Sequence, residues 1–149
     1  MTRLCLLILL LCSVGAESLA FGEQPLLVDP APLPFIYFEA GHPRGANDLS
    51  ADTIEGLEFV AKILSGGERR VWIAGYADKA EGTDGECQVI SERRALIVSD
   101  WLLDHGVNAV QIAGHRGFGA SQSASFSGTE RERSLNRRVE FRHSLPTVP

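Results

Sequence analysis

Hydrophobic and polar positions along this chain follow two periods, and the switches between them mark out its elements. Phe35-Ile36-Tyr37-Phe38 is a compact aromatic and β-branched run that predicts a first strand. Beyond the Gly41, Pro43, Gly45 and Asn47 loop the period lengthens, and Ile54, Leu57, Val60, Ala61 and Leu64 recur at helical spacing. Ser50 stands at the N-cap, Leu49 can staple onto Ile54, Asp52 and Glu55 suit the helix dipole, and Gly66-Gly67 ends the run. Val71-Trp72-Ile73-Ala74 predicts a second strand. A second helix is expected from about residue 86 to residue 105, ahead of Gly106.

Val107 to Ile112 alternates branched residues and predicts a third strand. Gly114 to Leu135 reads as a long polar loop, of the kind that is usually functional or mobile. Arg138-Val139-Glu140-Phe141-Arg142 alternates charged and apolar residues, so it predicts a last, edge strand with one wet face. Two crossovers imply three mutually parallel strands with right-handed connections. The expected fold is α/β (α+β): a two-layer sandwich of βαβαββ order, with a mixed sheet and two helices packed on one face.

On a wheel of the second helix, Ile90, Arg94, Val98, Trp101 and Leu102 share one arc, with Glu92, Ser99 and Asp100 opposite. Arg94 thus falls under an apolar face, whereas Arg93 lies outside it. A buried guanidinium must be paired or must line a polar cleft, because an isolated buried charge costs several kcal/mol. Asp78 is the nearest candidate partner, just past the C-terminal end of the second strand, where ligands dock in α/β sheets. An acid and a guanidinium across a cleft suit an amino-acid head group, whose carboxylate Arg can grip with two parallel hydrogen bonds. The other reading of the same two residues is a structural ion pair.

The ends of the chain add a location. Arg3, the apolar run from Leu4 to Leu11 and small residues at Val14-Gly15-Ala16 or Ser18-Leu19-Ala20 have the layout of a secretory signal over residues 1–20. Cys12 raises lipoprotein processing as an alternative, although Leu11 ahead of it is larger than that processing takes. No later segment approaches the length of about 20 apolar residues that spans a bilayer, so no transmembrane segment is expected in the mature chain. Pro25, Pro30, Pro32 and Pro34 make residues 21–34 an extended arm or linker. The domain is expected at 35–143 and a short tail at 144–149.

Composition narrows the function classes. A chain of 149 residues with 44% hydrophobic and 22% charged residues is sized for one globule with a real core. A formal net charge of −5, more acidic still once Arg3 is removed, argues against nucleic acid as a partner. Gly114-His115-Arg116-Gly117 has the spacing of a KH-domain loop but lacks a basic setting. Of three cysteines only Cys87 lies beyond the leader, as a sheltered thiol or an intermolecular bridge. His42, His105, His115 and His143 are scattered without metal-ligand spacing, and no serine sits in a Gly-x-Ser-x-Gly turn. No enzyme activity, cofactor or metal is therefore expected.

Four segments occur together in order: Gly75-Tyr76-Ala77-Asp78, Ile90-Ser91-Glu92-Arg93-Arg94-Ala95, Gly117-Phe118-Gly119 and Asn136-Arg137-Arg138-Val139-Glu140. With the aromatic first strand they resemble the OmpA-like C-terminal domain family, from about Phe35 to Arg142. The resemblance implies non-covalent binding of peptidoglycan in the periplasm, associated with the cell wall or the outer membrane. It implies that Asp78 takes the ammonium of the stem peptide's meso-diaminopimelate and Arg94 its carboxylate. It also implies that Asn136 and one of Arg137 and Arg138 border the cleft, with Glu39 and Cys87 at positions where the family carries a polar Asp and Asn. Tyr76 and Ala77 replace the family's usual His and Thr, which thins the polar shell around Asp78. The alternative is a periplasmic interaction or assembly protein of the same fold, with an envelope protein partner and no hold on the wall.

Overall fold

The computed structural model describes residues 32–125 and 128–145, so the expected leader, most of the arm and the end of the tail lie outside the described residues. The elements are β1 (Ile36–Tyr37), α1 (Ala51–Ser65), β2 (Val71–Gly75), α2 (Asp84–Asp104), β3 (Ile112–Gly117), a one-turn α3 (Glu130–Ser134) and β4 (Arg138–Arg142). One-turn 3-10 helices occur at Lys79–Glu81 and Ala109–Gln111. The sheet order is β1-β4-β2-β3, with β2 and β3 parallel and β4 antiparallel to both β1 and β2. β1, β2 and β3 run the same way, as the two crossovers require, and β4 is inserted between the first two. Among the described residues no helix is long and apolar enough to cross a membrane.

Both long helices bury their apolar sides against one sheet face. Leu57, Val60 and Leu64 of α1 and Ala95, Val98 and Leu102 of α2 join Ile36, Val71, Ile73, Val139 and Phe141 in one core. Ser50 caps α1, its Oγ accepting from the Thr53 N–H at 3.2 Å. Thr53 is buried where Ile54 was expected to be, and its hydroxyl donates to the Tyr37 carbonyl at 3.2 Å, tying α1 to β1. Leu33 also packs into this core, which therefore begins ahead of Phe35.

Two glycines set how α2 meets the sheet. Gly75 and Gly117 are register partners at the ends of β2 and β3. A Cβ on Gly75 would stand 2.1 Å from the Ser91 carbonyl oxygen, and one on Gly117 would stand 2.3 Å from the Glu92 nitrogen. Only residues without a side chain admit the α2 backbone there, and that contact brings Arg94 to the C-terminal edge of the parallel strands.

Several expectations are corrected. Of the expected strand at 107–112 only Ile112 is one, and residues 107–111 are not: Val107 donates back to the Leu102 carbonyl at 3.0 Å, the Asn108 side chain accepts from the Val110 N–H at 3.1 Å, and Val110 is 70% exposed. Strand pairing starts at Ile112, opposite Val71, and runs on through the polar residues to Gly117. The long loop is thereby shortened at its start, and α3 occupies part of its end.

β4 is not an edge strand with a wet face. It is internal, and Arg138, Val139, Glu140 and Phe141 are all buried. Its two arginines share one acid: Arg138 Nε donates to Glu140 Oε1 at 2.7 Å and Arg142 Nε to Glu140 Oε2 at 2.5 Å. The Arg138 guanidinium lies 4.2 Å from the Tyr76 ring centroid, and Tyr76 stacks on Phe118. On α2, Ser99 is buried rather than facing water, while Ile90 and Trp101 are only half-buried. Sequence periodicity placed Arg94 correctly, with no exposure at all.

Candidate functional site at the end of the sheet

Beyond Gly75 the backbone is pinned on both sides, Tyr76 N–H to the Arg138 carbonyl at 2.8 Å and Ala77 N–H to the Gly119 carbonyl at 2.9 Å. Asp78 is thus held at the lip of the sheet. Its Oδ1 accepts from the Ala80 N–H at 2.9 Å, making it the N-cap of the 3-10 turn, and its Oδ2 accepts from Asn136 Nδ2 at 2.7 Å. Asn136 is fixed in turn by Ser125, whose N–H and carbonyl it engages with Oδ1 and Nδ2, both at 3.0 Å. Asp78 is 5% exposed and borders a hollow of about 230 Å³ with Lys79, Ser123, Ser125, Arg133 and Asn136. A larger hollow of about 510 Å³ shares Lys79 and Ser123 with it and extends past Gln88 and Phe118.

Arg94 is in a different setting. Its Nε donates to the His42 carbonyl at 2.8 Å, Nη1 to the Tyr76 carbonyl at 3.0 Å and Nη2 to the Glu39 carbonyl at 3.1 Å. The remaining two N–H groups form a fork on Glu81, at 2.8 Å to Oε2 and 2.7 Å to Oε1. All the donors that a guanidinium has are thereby used. The Glu81 carboxylate is equally engaged, since Oε1 also accepts from the Gly41 N–H at 2.8 Å and Oε2 from the Asp78 N–H at 2.9 Å. Burial pushes the Glu81 carboxyl up, but the bonds and charge of Arg94, with those two N–H groups, hold it below the ordinary glutamate range.

Of the two open readings of Asp78 and Arg94, the structural ion pair does not match the contacts. No ion pair joins the two residues; Glu81 stands between them, bonded to the Asp78 backbone and to the Arg94 side chain. Sequence reasoning passed over Glu81, although the signal was present: an acid three residues after Asp78 completes a capping-box spacing.

The other expected site residues separate. Asn136 does meet Asp78. Neither Arg137 nor Arg138 lines the Asp78 hollow. Arg137 bonds to the Phe38 carbonyl at 3.0 Å and to Glu130 at 2.6 Å, beside a separate hollow between β1 and α1. Arg138 belongs to the Glu140 pair under Tyr76. The cations that border the Asp78 hollow are Lys79 and Arg133; Arg133 is on α3, in a segment that reads as loop, and the sequence singled out neither. Glu39 contributes its carbonyl to Arg94 while its side chain is exposed. Cys87 is fully buried, its Sγ donating to the Asp78 carbonyl at 3.3 Å. Burial, with the charges of Glu81, Asp84 and Asp78, pushes that thiol up, so it supports the turn as a neutral group. Among the described residues no His, Cys, Asp and Glu side chains gather into a metal site.

Fold and site together define an α+β domain with a carboxylate set at the end of a mixed sheet. The sequence matches the model of the OmpA family over residues 41–137, and the chain belongs to that family. It is 38% identical over 98 residues to the peptidoglycan-binding protein ArfA of Mycobacterium tuberculosis (strain H37Rv) and equally to that of Mycobacterium bovis. The match takes in 65% of this chain but only 29% of those relatives. The fold is similar to that of the peptidoglycan-associated lipoprotein from Burkholderia pseudomallei, at a TM-score of 0.63 and 21% identity, covering 72% of this chain and 86% of that one. It is likewise similar to the C-terminal domain of Helicobacter pylori MotB, at a TM-score of 0.61 and 22% identity over 72% and 81%.

Proposed function

We propose that this chain is a non-catalytic peptidoglycan-binding domain of the cell envelope, working in the periplasm after removal of its leader. In this reading the ligand is the meso-diaminopimelate of the stem peptide, with Asp78 taking its ammonium and the Arg94 seat taking its carboxylate. The observation that carries it is the state of Asp78: a nearly buried carboxylate at the wall of a hollow, oriented by the Ala80 N–H and by Asn136. Each of its oxygens shows one of these donors, which leaves lone pairs for an ammonium. Such a charge-assisted bond contributes about 1.5–3 kcal/mol. Family membership and the name of the mycobacterial relatives support peptidoglycan as the ligand.

Co-sedimentation of the purified protein with diaminopimelate-type sacculi tests this. Asp78→Asn removes the charge with little change of shape, and it should lose most of the sedimented fraction while circular dichroism stays the same. Undiminished sedimentation would overturn the role given to Asp78.

One observation favours a second reading, an envelope interaction or assembly protein that leaves the wall alone: the Arg94 donors are already taken by the chain itself. Under that reading neither the native protein nor Asp78→Asn sediments with sacculi, and both recover the same protein partner.

A further inference from the structure

The place in front of Arg94 is built to receive a carboxylate, and a carboxylate of this chain fills it. The forked guanidinium faces it from one side, and the N–H groups of Gly41 and Asp78 point at the same two oxygens. Asp78, whose N–H helps to make this seat, is the residue whose carboxylate borders the neighbouring hollow. We propose that Glu81 is a resident stand-in for the ligand's carboxylate, a competitor that sets what the site can read. This rests on the reading of Asp78 and Arg94 as the two ends of a head-group site.

The way Glu81 is carried suits a group that can leave. It sits on a 3-10 turn of three residues, none of which is buried, and only its side chain dips inward. Lys79, Ala80 and Gly82 around it are exposed. Gly82 follows at φ 151°, a conformation that side chains rarely adopt, which marks the point where the chain changes direction. On its far side α2 starts independently, because Thr83 and Glu86 cap one another: the Thr83 N–H donates to Glu86 at 2.8 Å and the Glu86 N–H to Thr83 Oγ1 at 3.4 Å. On its near side Asp78 is anchored by Asn136. Each flank thus has a tie that does not run through Glu81.

A tethered carboxylate competes at a high effective concentration, so a free one displaces it only with difficulty. With Glu81 seated, the site reads an ammonium through Asp78 and takes the carboxylate beside it only by displacing Glu81. With Glu81 removed, it reads both.

Calorimetric titration of the native protein, Glu81→Ala and Glu81→Gln with two soluble stem peptides decides this. One peptide carries meso-diaminopimelate and the other lysine at the same position, which supplies the ammonium without the adjoining carboxylate. The Glu81→Ala protein should bind the diaminopimelate peptide about ten-fold more tightly than the native protein does, with the lysine peptide changed less than about two-fold. Sodium acetate alone should raise the melting temperature of Glu81→Ala and not that of the native protein, relative to sodium chloride, because acetate refills the seat.

No gain for the diaminopimelate peptide, in a native protein that does sediment with sacculi, would overturn the competitor and leave the wall-binding reading intact. An acetate effect no larger than that of chloride would overturn the seat. If Glu81→Ala does not fold, Glu81→Gln takes its place, with a smaller gain in the same direction expected and an absent gain counting against the proposal. Failure of every protein to bind either peptide or sacculi would instead remove the wall-binding reading, and the competitor with it.

Discussion

The two ends of the expected head-group site, Asp78 and Arg94, have opposite fates. Asp78 keeps a carboxylate with spare lone pairs beside a hollow, while Arg94 is sealed under the β1–α1 loop with every donor used. Both are nearly or fully buried, so burial alone does not tell a ligand group from a structural one; the count of unspent hydrogen-bonding positions does. Arg94 also joins parts of the chain that no strand pairing connects. It gathers the carbonyls of Glu39 and His42 from one loop and of Tyr76 from the other, with Glu81 bonded to Gly41 and Asp78 across the same gap.

The largest effect that would break this contrast comes from Arg94 itself. Arg94→Ala strands the Glu81 carboxylate without its counter-charge and frees three carbonyls, so chemical denaturation should show a loss of about 3–5 kcal/mol. A loss under about 1 kcal/mol would show that the sealed end is dispensable. Asn136→Ala acts at the open end and should cost less, about 2 kcal/mol, by removing one bond to a charged group and the Ser125 tie. Equal losses for the two variants would erase the difference between the ends.

The smallest effect is a pH dependence confined to the sealed end. Glu81 is held below its ordinary value of about 4.5, so its contribution is complete above that value and is lost as pH falls through the lower folded-state value. In Glu81→Gln that contribution is absent at every pH. The stability difference between the native protein and Glu81→Gln should therefore be constant above about pH 5 and shrink below about pH 4.5. A difference that stays constant down to acid unfolding would mean that the pair with Arg94 does not shift Glu81.

Much of the fold was legible in short-range pattern. Ser50 as a cap, the 3.6-residue period of α1 and the stop at Gly66 are local preferences that tertiary packing did not override. Local pattern failed where pairing between distant segments decides. Ile112–Gly117 looks polar and pairs with β2, whereas the alternating Val107 to Gln111 stretch turns back on Leu102 and Leu64. Arg138 and Glu140 read as a wet face because their residue types are charged, and only their mutual pairing beneath Tyr76 lets the strand lie inside the sheet.

By itself, the sequence determined the order of the first two strands and the two long helices, the burial of Arg94 and the place of Asp78 just past the end of β2, because periodicity and turn residues act over a few positions. What only the tertiary structure decided is which group each buried charge meets. Glu81 reaches Arg94 across 13 residues and Asn136 reaches Asp78 across 58. Partners chosen over such spans are set by how the loops at the sheet's end close on one another, and hydrophobic spacing carries no record of that.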